Sequence, residues 1–394
     1  MKKIFFFAAA VVAMAACQKE AKLTSNEFTA PAEDGAPVAV LFSSNVNAAV
    51  ETKAQGGVDA WDATQNLHIY GFQRQEGGID YTTVTPFIDN VVATSPAEGA
   101  ADNKLAVLDT DQKPFYYVGN NTYDFYGFYV DDLNVEPATT ETGVYVPVVI
   151  TGGEDVMVAK ANPEIDGAAL SEPRYAYSAY AARRNVQPTL KFEHQLVRFR
   201  FQIESGTDFE TVGDAEKNLF VTSLTINARN KADLYVAGET VGLQNISADR
   251  ANLALCSLDA TNNLVALTPY EVHDKDAVLA QDANKLGESL MVIPNESVEG
   301  KVDAEGNPLV DTFDATLTMT QFGKTQVLPL ALKISEVKDA EGNYVAQTQF
   351  TAGYSYLITV KVYGLEEIEI SAELEPWKDG GRIDIDTDVP PTVL

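Results

Sequence analysis

The chain has 394 residues, 45% of them apolar, and a formal net charge of −29. That apolar share can bury a sizeable core, which excludes wholesale disorder. The acidity excludes nucleic acid and anionic lipid surfaces as partners, because phosphate would be repelled, and it suits solubility on an exposed cell surface.

The chain opens Met1-Lys2-Lys3, runs apolar from Phe5 to Ala16, and reaches Met14-Ala15-Ala16-Cys17. A basic start, a short apolar run and small residues before a cut site make residues 1–16 a signal peptide. The apolar run is too short to span a bilayer. A cysteine directly after the small residues resembles a bacterial lipobox, which makes Cys17 a lipidated residue and an outer-membrane anchor. Residues 17–37, rich in Ala, Glu, Lys, Thr and Pro, read as the tether. With Cys17 so used, Cys256 stands alone; no disulfide framework is possible, and Cys256 reads as a small buried thiol.

Val38–Ser44 is the first expected strand. Glu51-Thr52-Lys53-Ala54-Gln55-Gly56-Gly57 follows as an exposed, cleavable loop. Trp61 precedes a strand at Leu67–Phe72, and Gly77-Gly78 suggests a hairpin into a strand at Tyr81–Phe87. Residues 94–103 read as a surface loop and Phe115–Val118 as a short strand. Tyr123–Val130 carries large apolar residues on both parities, so it is a central or covered strand. Its tyrosines could also form an aromatic box for a sugar, although core packing explains them more simply. Val144–Ile150 contains Pro147, which places it at a sheet edge, and Val156–Ala159 is short and apolar. About seven short strands suit one β-sandwich over residues 38–185. Residues 171–184 hold one helical turn, and Arg183-Arg184-Asn185-Val186-Gln187-Pro188 reads as the connection to a second unit, residues 186–394.

The second unit opens on Thr189–Ile203. Leu190, Phe192, His194 and Leu196 alternate on one parity; Val197, Phe199, Phe201 and Ile203 continue on the other. Period two means strand, and the slip at Leu196/Val197 reads as a β-bulge in one long strand, with His194 inward. Further strands are expected at 220–228, 233–237, 253–258, 264–267, 290–293, 316–320, 327–334 and 354–362. Ile368–Leu374 alternates apolar with mostly acidic residues, and Glu375-Pro376-Trp377 stops it. Gly380-Gly381 then makes a hinge before Ile383-Asp384-Ile385-Asp386-Thr387-Asp388-Val389. This last segment either pairs within its own unit or leaves to add a strand to another molecule.

No catalytic or metal-binding constellation stands out. His68, His194 and His273 are not ligand-spaced, and His194 reads as a core histidine bonded to backbone. Asp384, Asp386 and Asp388 imitate a calcium loop, yet Val389 and Pro390 follow where its glycine belongs. No enzyme activity, cofactor or metal is expected.

Several stretches together resemble the fimbrillin-like lipoproteins of Bacteroidetes. They are the lipobox at Cys17, Trp61 ahead of Leu67-His68-Ile69-Tyr70-Gly71-Phe72, Tyr123-Asp124-Phe125-Tyr126-Gly127-Phe128, Leu190-Lys191-Phe192-Glu193-His194-Gln195-Leu196, and Trp377 before the tail. The resemblance implies an all-β chain of two tandem transthyretin-like antiparallel β-sandwiches, exported as a lipidated precursor and assembled into surface pili. It further implies that a protease removes the first strand, Val38–Ser44, cutting before Trp61, with Lys53-Ala54 the candidate site. The extended tail of a neighbouring pilus subunit then fills the groove, which makes Ile383, Ile385, Thr387 and Val389 the candidate donor residues. The competing expectation is a monomeric surface lipoprotein that binds glycan or adheres to a host or bacterial surface ligand.

Overall fold

The computed structural model describes residues 28–31, 35–46, 61, 63–97, 103–131, 133–165, 168–206, 218–261, 263–273, 283–304, 306–334, 336–338, 344–346, 348–365, 368–375 and 382–384. The described chain is almost entirely β. Its main strands begin with β1 Phe42–Val46, β2 Asn66–Gln73, β3 Ile88–Thr94, β4 Lys104–Leu105, β5 Tyr123–Val130, β6 Ala138–Thr139, β7 Gly143–Val149 and β8 Val156–Lys160. A one-turn helix, α1 Ala179–Ala182, precedes β9 Thr189–His194, β10 Val197–Ser205, β11 Phe220–Arg229, β12 Lys231–Gly238, β13 Gly242–Gln244 and β14 Arg250–Ala254. The last group is β15 Lys285–Val292, β16 Thr312–Gln321, β17 Lys324–Lys333, β18 Ser355–Val362, β19 Ile368–Glu375 and β20 Arg382–Asp384.

The amino-terminal strands form a seven-stranded sheet in the order β3-β2-β5-β8-β9-β1-β4. Both of its faces are covered, which is why β5 is apolar on both parities. Leu67, Ile69, Tyr123, Phe125, Met157, Leu190 and Phe192 point into one core with Phe42, Trp61 and the alanines of α1. Tyr70, Phe72, Tyr126, Phe128, Val156 and Val158 point the other way, into a second core with Val144, Val146, Leu234 and Val236. Those last four come from β7 and β12, neighbours in the sheet β13-β12-β7-β6. The second core continues between the sheets β15-β10-β18-β19-β20 and β14-β11-β16-β17, where Phe199, Phe313, Phe350 and Tyr356 pack ring against ring.

Among the described residues pairing is mostly antiparallel, with two parallel exceptions: β1 with β9, and β10 with β18. Residues 189–203 are not one bulged strand. β9 pairs with β8 and β1, and β10 pairs with β15 and β18, so the phase slip is a crossing between sheets. Each half presents its own parity to its own core. The register shift in this region lies between β10 and β15, where the two steps from Phe199 to Phe201 face the four from Leu290 to Leu286, so the extra residues are on β15. The boundary expected between residues 185 and 186 falls ahead of β9, which belongs by pairing to the first sheet. Beyond that boundary, β12 pairs with β7 from before it.

Other expectations also shift. Tyr81–Phe87 is not a strand. The Asp80 carboxylate accepts from the Thr82 amide and hydroxyl, and its carbonyl accepts from the amides of Thr83 and Val84. That turn pushes the strand on to β3. Pro147 does not place β7 at an edge throughout, because β6 covers Val144 and Tyr145; the proline lies just beyond that two-residue cover. Cys256 is half-buried rather than buried, with its thiol pushed up by burial and by Glu154. The expected helical turn is present as Pro173–Tyr175 followed by α1. The Tyr123–Tyr129 stripe is buried side by side with the core, so it presents no face for a sugar.

Candidate functional site: the seat of the first strand

The site is built from the end of α1 onward. Ser178 caps the helix by accepting from the Ala181 amide. Three residues past the helix, Asn185 takes a left-handed φ of 64° and turns the chain. The turn buries Val186, whose amide bonds the Ala181 carbonyl. Gln187 and Pro188 then run alongside the start of β1, and β9 continues in parallel register, with Ser43 opposite Thr189 and Val46 opposite Phe192.

The segment leading into β1 is gripped through its main chain on both sides. On one side the Arg183 guanidinium donates to the Ala36 carbonyl at 2.7 Å. The Gln187 amide donates to the Ala39 carbonyl at 3.3 Å and accepts from the Leu41 amide at 3.1 Å. The Pro188 carbonyl accepts from the Ser43 amide at 3.2 Å, and the Ser43 and Thr189 hydroxyls lie 3.0 Å apart. On the other side Tyr117 donates to Val38, Val40 donates to Phe115, and Ser44 donates to Asn103, all through main-chain atoms. The short strand expected at 115–118 is this run-up, bridged once between Ala39 and Tyr116.

Side chains fix which face is inward. Val40, Phe42 and Ser44 are buried at alternate positions, whereas Leu41 is 58% exposed. Phe42 stands edge-on to Phe125, ring centroids 5.2 Å apart. Trp61 closes the far end, edge-on to Phe192 at 5.2 Å and near Tyr129 at 6.3 Å. The fit is apolar and incomplete in its polar atoms. Ser44 Oγ, Tyr117 Oη and Trp61 Nε1 are buried and find no hydrogen-bond partner among the described residues. Of the three, Ser44 belongs to the segment itself, and a buried hydroxyl left without a partner costs roughly 1–3 kcal/mol. Burial, with Tyr177 and Tyr123 nearby, pushes the Tyr117 hydroxyl well above its ordinary value.

At the end of the first sheet, His194 is buried as expected, and where a backbone partner is expected its ring meets a carboxylate. Its Nδ1 lies 3.0 and 3.1 Å from the two carboxylate oxygens of buried Asp155. Asp155 is held in turn through its amide, which donates to Asp131 at 2.9 Å. This pair pins the chain where it leaves the first sheet for β10. Among the described residues no group of three or more His, Cys, Asp or Glu is arranged to hold a metal ion.

Of the residues singled out from sequence, Cys17, Lys53, Ala54, Ile385, Thr387 and Val389 lie outside the described residues. Ile383 lies in β20, at the edge of its sheet, where it pairs with Ala372 of β19. The segment Val38–Ser44 is where it was expected, although its regular ladder is β1, Phe42–Val46. Gln187 and Arg183 lie in the expected connector. Nothing in their local pattern signals a grip on a segment 146 residues away.

The fimbrillin-like family matches residues 52–377. No curated protein matches the chain in sequence. A fimbrial protein from Bacteroides vulgatus ATCC 8482 is similar in structure, with a TM-score of 0.46 and 12% identity over 86% of this chain and 100% of that one. The tip fimbrial protein Mfa3 from Porphyromonas gingivalis, with a C-terminal truncation, gives a TM-score of 0.36 and 11% identity over 79% of this chain and 94% of that one. Likeness at these scores assigns no role. The match along the sequence itself, from Thr52 to Trp377, covers well over half of the residues: the chain belongs to the fimbrillin-like family.

Proposed function

We propose that this chain is the precursor of a structural subunit of a surface pilus, and that it polymerises by exchanging its first strand. The observation that carries this reading is the seat of residues 38–46. The segment is gripped through main-chain atoms, it fills the core with side chains at alternate positions, and its polar fit is poor. Such a segment can be taken out without dismantling the sheet around it. Its replacement needs an extended backbone with mostly apolar residues at every second position, and Ile383, Ile385 and Val389, with Thr387 between them, have that spacing. Each large apolar side chain refilling the groove is worth roughly 1.5–3 kcal/mol, so a few of them plus a ladder of hydrogen bonds can hold a polymer together.

In this reading Cys17 carries lipid that anchors the precursor in the outer membrane, and a protease cuts at Lys53-Ala54 to free the first strand. Among the described residues β20 pairs with β19 over three residues, at the end of its sheet, and in this reading the tail leaves that place to reach a neighbour. The partners are other pilus subunits, and no catalytic group or cofactor takes part. The test is deletion of residues 383–394. The truncated chain should fold, be cut at its normal site and remain monomeric, as read by electron microscopy and amino-terminal sequencing of material sheared from cells. Fibres formed by the truncated chain would end the donor role of the tail.

A further inference from the structure

The grip on the first strand contains one residue whose chemistry differs from the rest. The parallel ladder between β1 and β9 would run back from Thr189 through Pro188 to Gln187. Pro188 has no N–H, so the ladder loses its bond to the Leu41 carbonyl. Val186, which a continuing ladder would set opposite Val40, gives its N–H to the Ala181 carbonyl instead. The Gln187 side chain stands in for it. A primary amide carries the donor and acceptor of a peptide unit. Here it donates to the carbonyl of Ala39 and accepts from the amide of Leu41, the two groups flanking Val40 on one edge. A neighbouring parallel strand would bond to the same two groups. The left-handed turn at Asn185 and the buried anchor at Val186 hold the side chain in place before anything binds.

We infer that Gln187 is the positioning residue of this groove. It recognises main chain only, and therefore holds any extended segment that runs parallel to β9. Before exchange that segment is the chain's own residues 39–41; after exchange it is a strand from a second subunit, a step that rests on the function proposed above. Two requirements on the occupant follow. The residue in the place of Leu41 must keep its N–H, which excludes proline there. The residues in the places of Val40 and Phe42 must be apolar. Residues 383–389 meet the first requirement throughout, since the first proline of the tail is Pro390.

The test has two arms. In the uncut full chain, Gln187→Ala should speed amide exchange at Leu41 by roughly fivefold, the loss of one modest hydrogen bond, and leave Phe125 in β5 unchanged. An equal change at both, or none at Leu41, overturns the inference. In the second arm the full chain is nicked at an engineered protease site between residues 47 and 60. It is then loaded with a synthetic peptide of residues 36–46 or of residues 380–394. Gln187→Ala should speed release of both peptides by the same factor, and a Leu41→Pro version of the first should not bind. Faster release of only one bound peptide overturns main-chain recognition. If the tail peptide fails to bind while the 36–46 peptide behaves as expected, Gln187 keeps its role and the exchange reading fails instead.

Discussion

Phe42→Ala puts the separability of the first strand to a quantitative test. The substitution removes a ring that is 3% exposed and stands edge-on to Phe125. Truncating a buried phenylalanine to alanine lowers stability by about 3–5 kcal/mol, the transfer term plus the cavity left behind. The question is which opening absorbs that loss. β1 is held by four residue pairs on β9 and two on β4, while β5 is held by six pairs on β2 and five on β8. If β1 releases as its own unit, the loss falls on that release alone. The amides of Ser43 and Ser44, bonded to Pro188 and Asn103, would then exchange faster by roughly two to almost four orders of magnitude. Phe125 and Val158 would keep their protection. Amide exchange resolved by residue measures both. A fall in protection of equal size at Ser43 and at Phe125 would mean that β1 opens only with the whole sheet, and the seat would not be exchangeable.

Two further outcomes follow from the same region. Gly127→Ala should lower the thermal midpoint, because the new Cβ would lie 2.8 Å from the Phe192 ring and 3.1 Å from Leu190. Phe192 is itself set against Trp61 and has little room to retreat, so the loss should be about 1–3 kcal/mol, read by a circular dichroism melt. A dependence on pH follows from His68, whose ring stacks on Phe128 and bonds Asn90 at 2.9 Å. Burial holds its pKa below the ordinary 6.5, against smaller opposing effects from Asn90 and Glu136. The unfolded chain therefore takes up the proton first. Stability from this group is full above 6.5 and is lost as the pH falls below it. His68→Gln should flatten that slope between about pH 5 and pH 7.5, as read from urea midpoints; an unchanged slope would contradict the assignment.

Much of the fold is legible in the alternation of apolar residues. Tyr354–Val362 and Phe220–Ala228 are strands in place, and the double-faced stripe at Tyr123–Val130 correctly signals a strand covered on both sides. What period two cannot supply is the partner of each strand. The slip at Leu196/Val197 has two physical origins, an extra residue within a strand or a change of sheet. Only pairing separates them: β9 lies against β1, and β10 lies against β18. His194 shows the same limit. Its inward parity is readable, but its partner Asp155 lies 39 positions away. Local turn chemistry can also be outweighed by eye. The glycine pair at 77–78 suggests a hairpin, while the Asp80-Thr82-Thr83 turn just after it delays the strand to Ile88. The grip at Gln187 is the extreme case, because a glutamine ahead of a proline is ordinary in any connector.

The parallel union of β1 with β9 has a consequence for biogenesis. Ser43 and Thr189 touch across 146 positions, whereas β2, β3, β5, β8 and β9 succeed one another with far shorter separations. Contacts between distant positions form late. The earliest-synthesised piece of this sheet is therefore expected to be placed last, after a stage with the cleft open, which pulse-labelled amide exchange during refolding would show as late protection at Ser43. The molecule wins that cleft for itself because the piece is tied to the same chain and so is present at high effective concentration. One cut in the tie removes that advantage without altering a single contact.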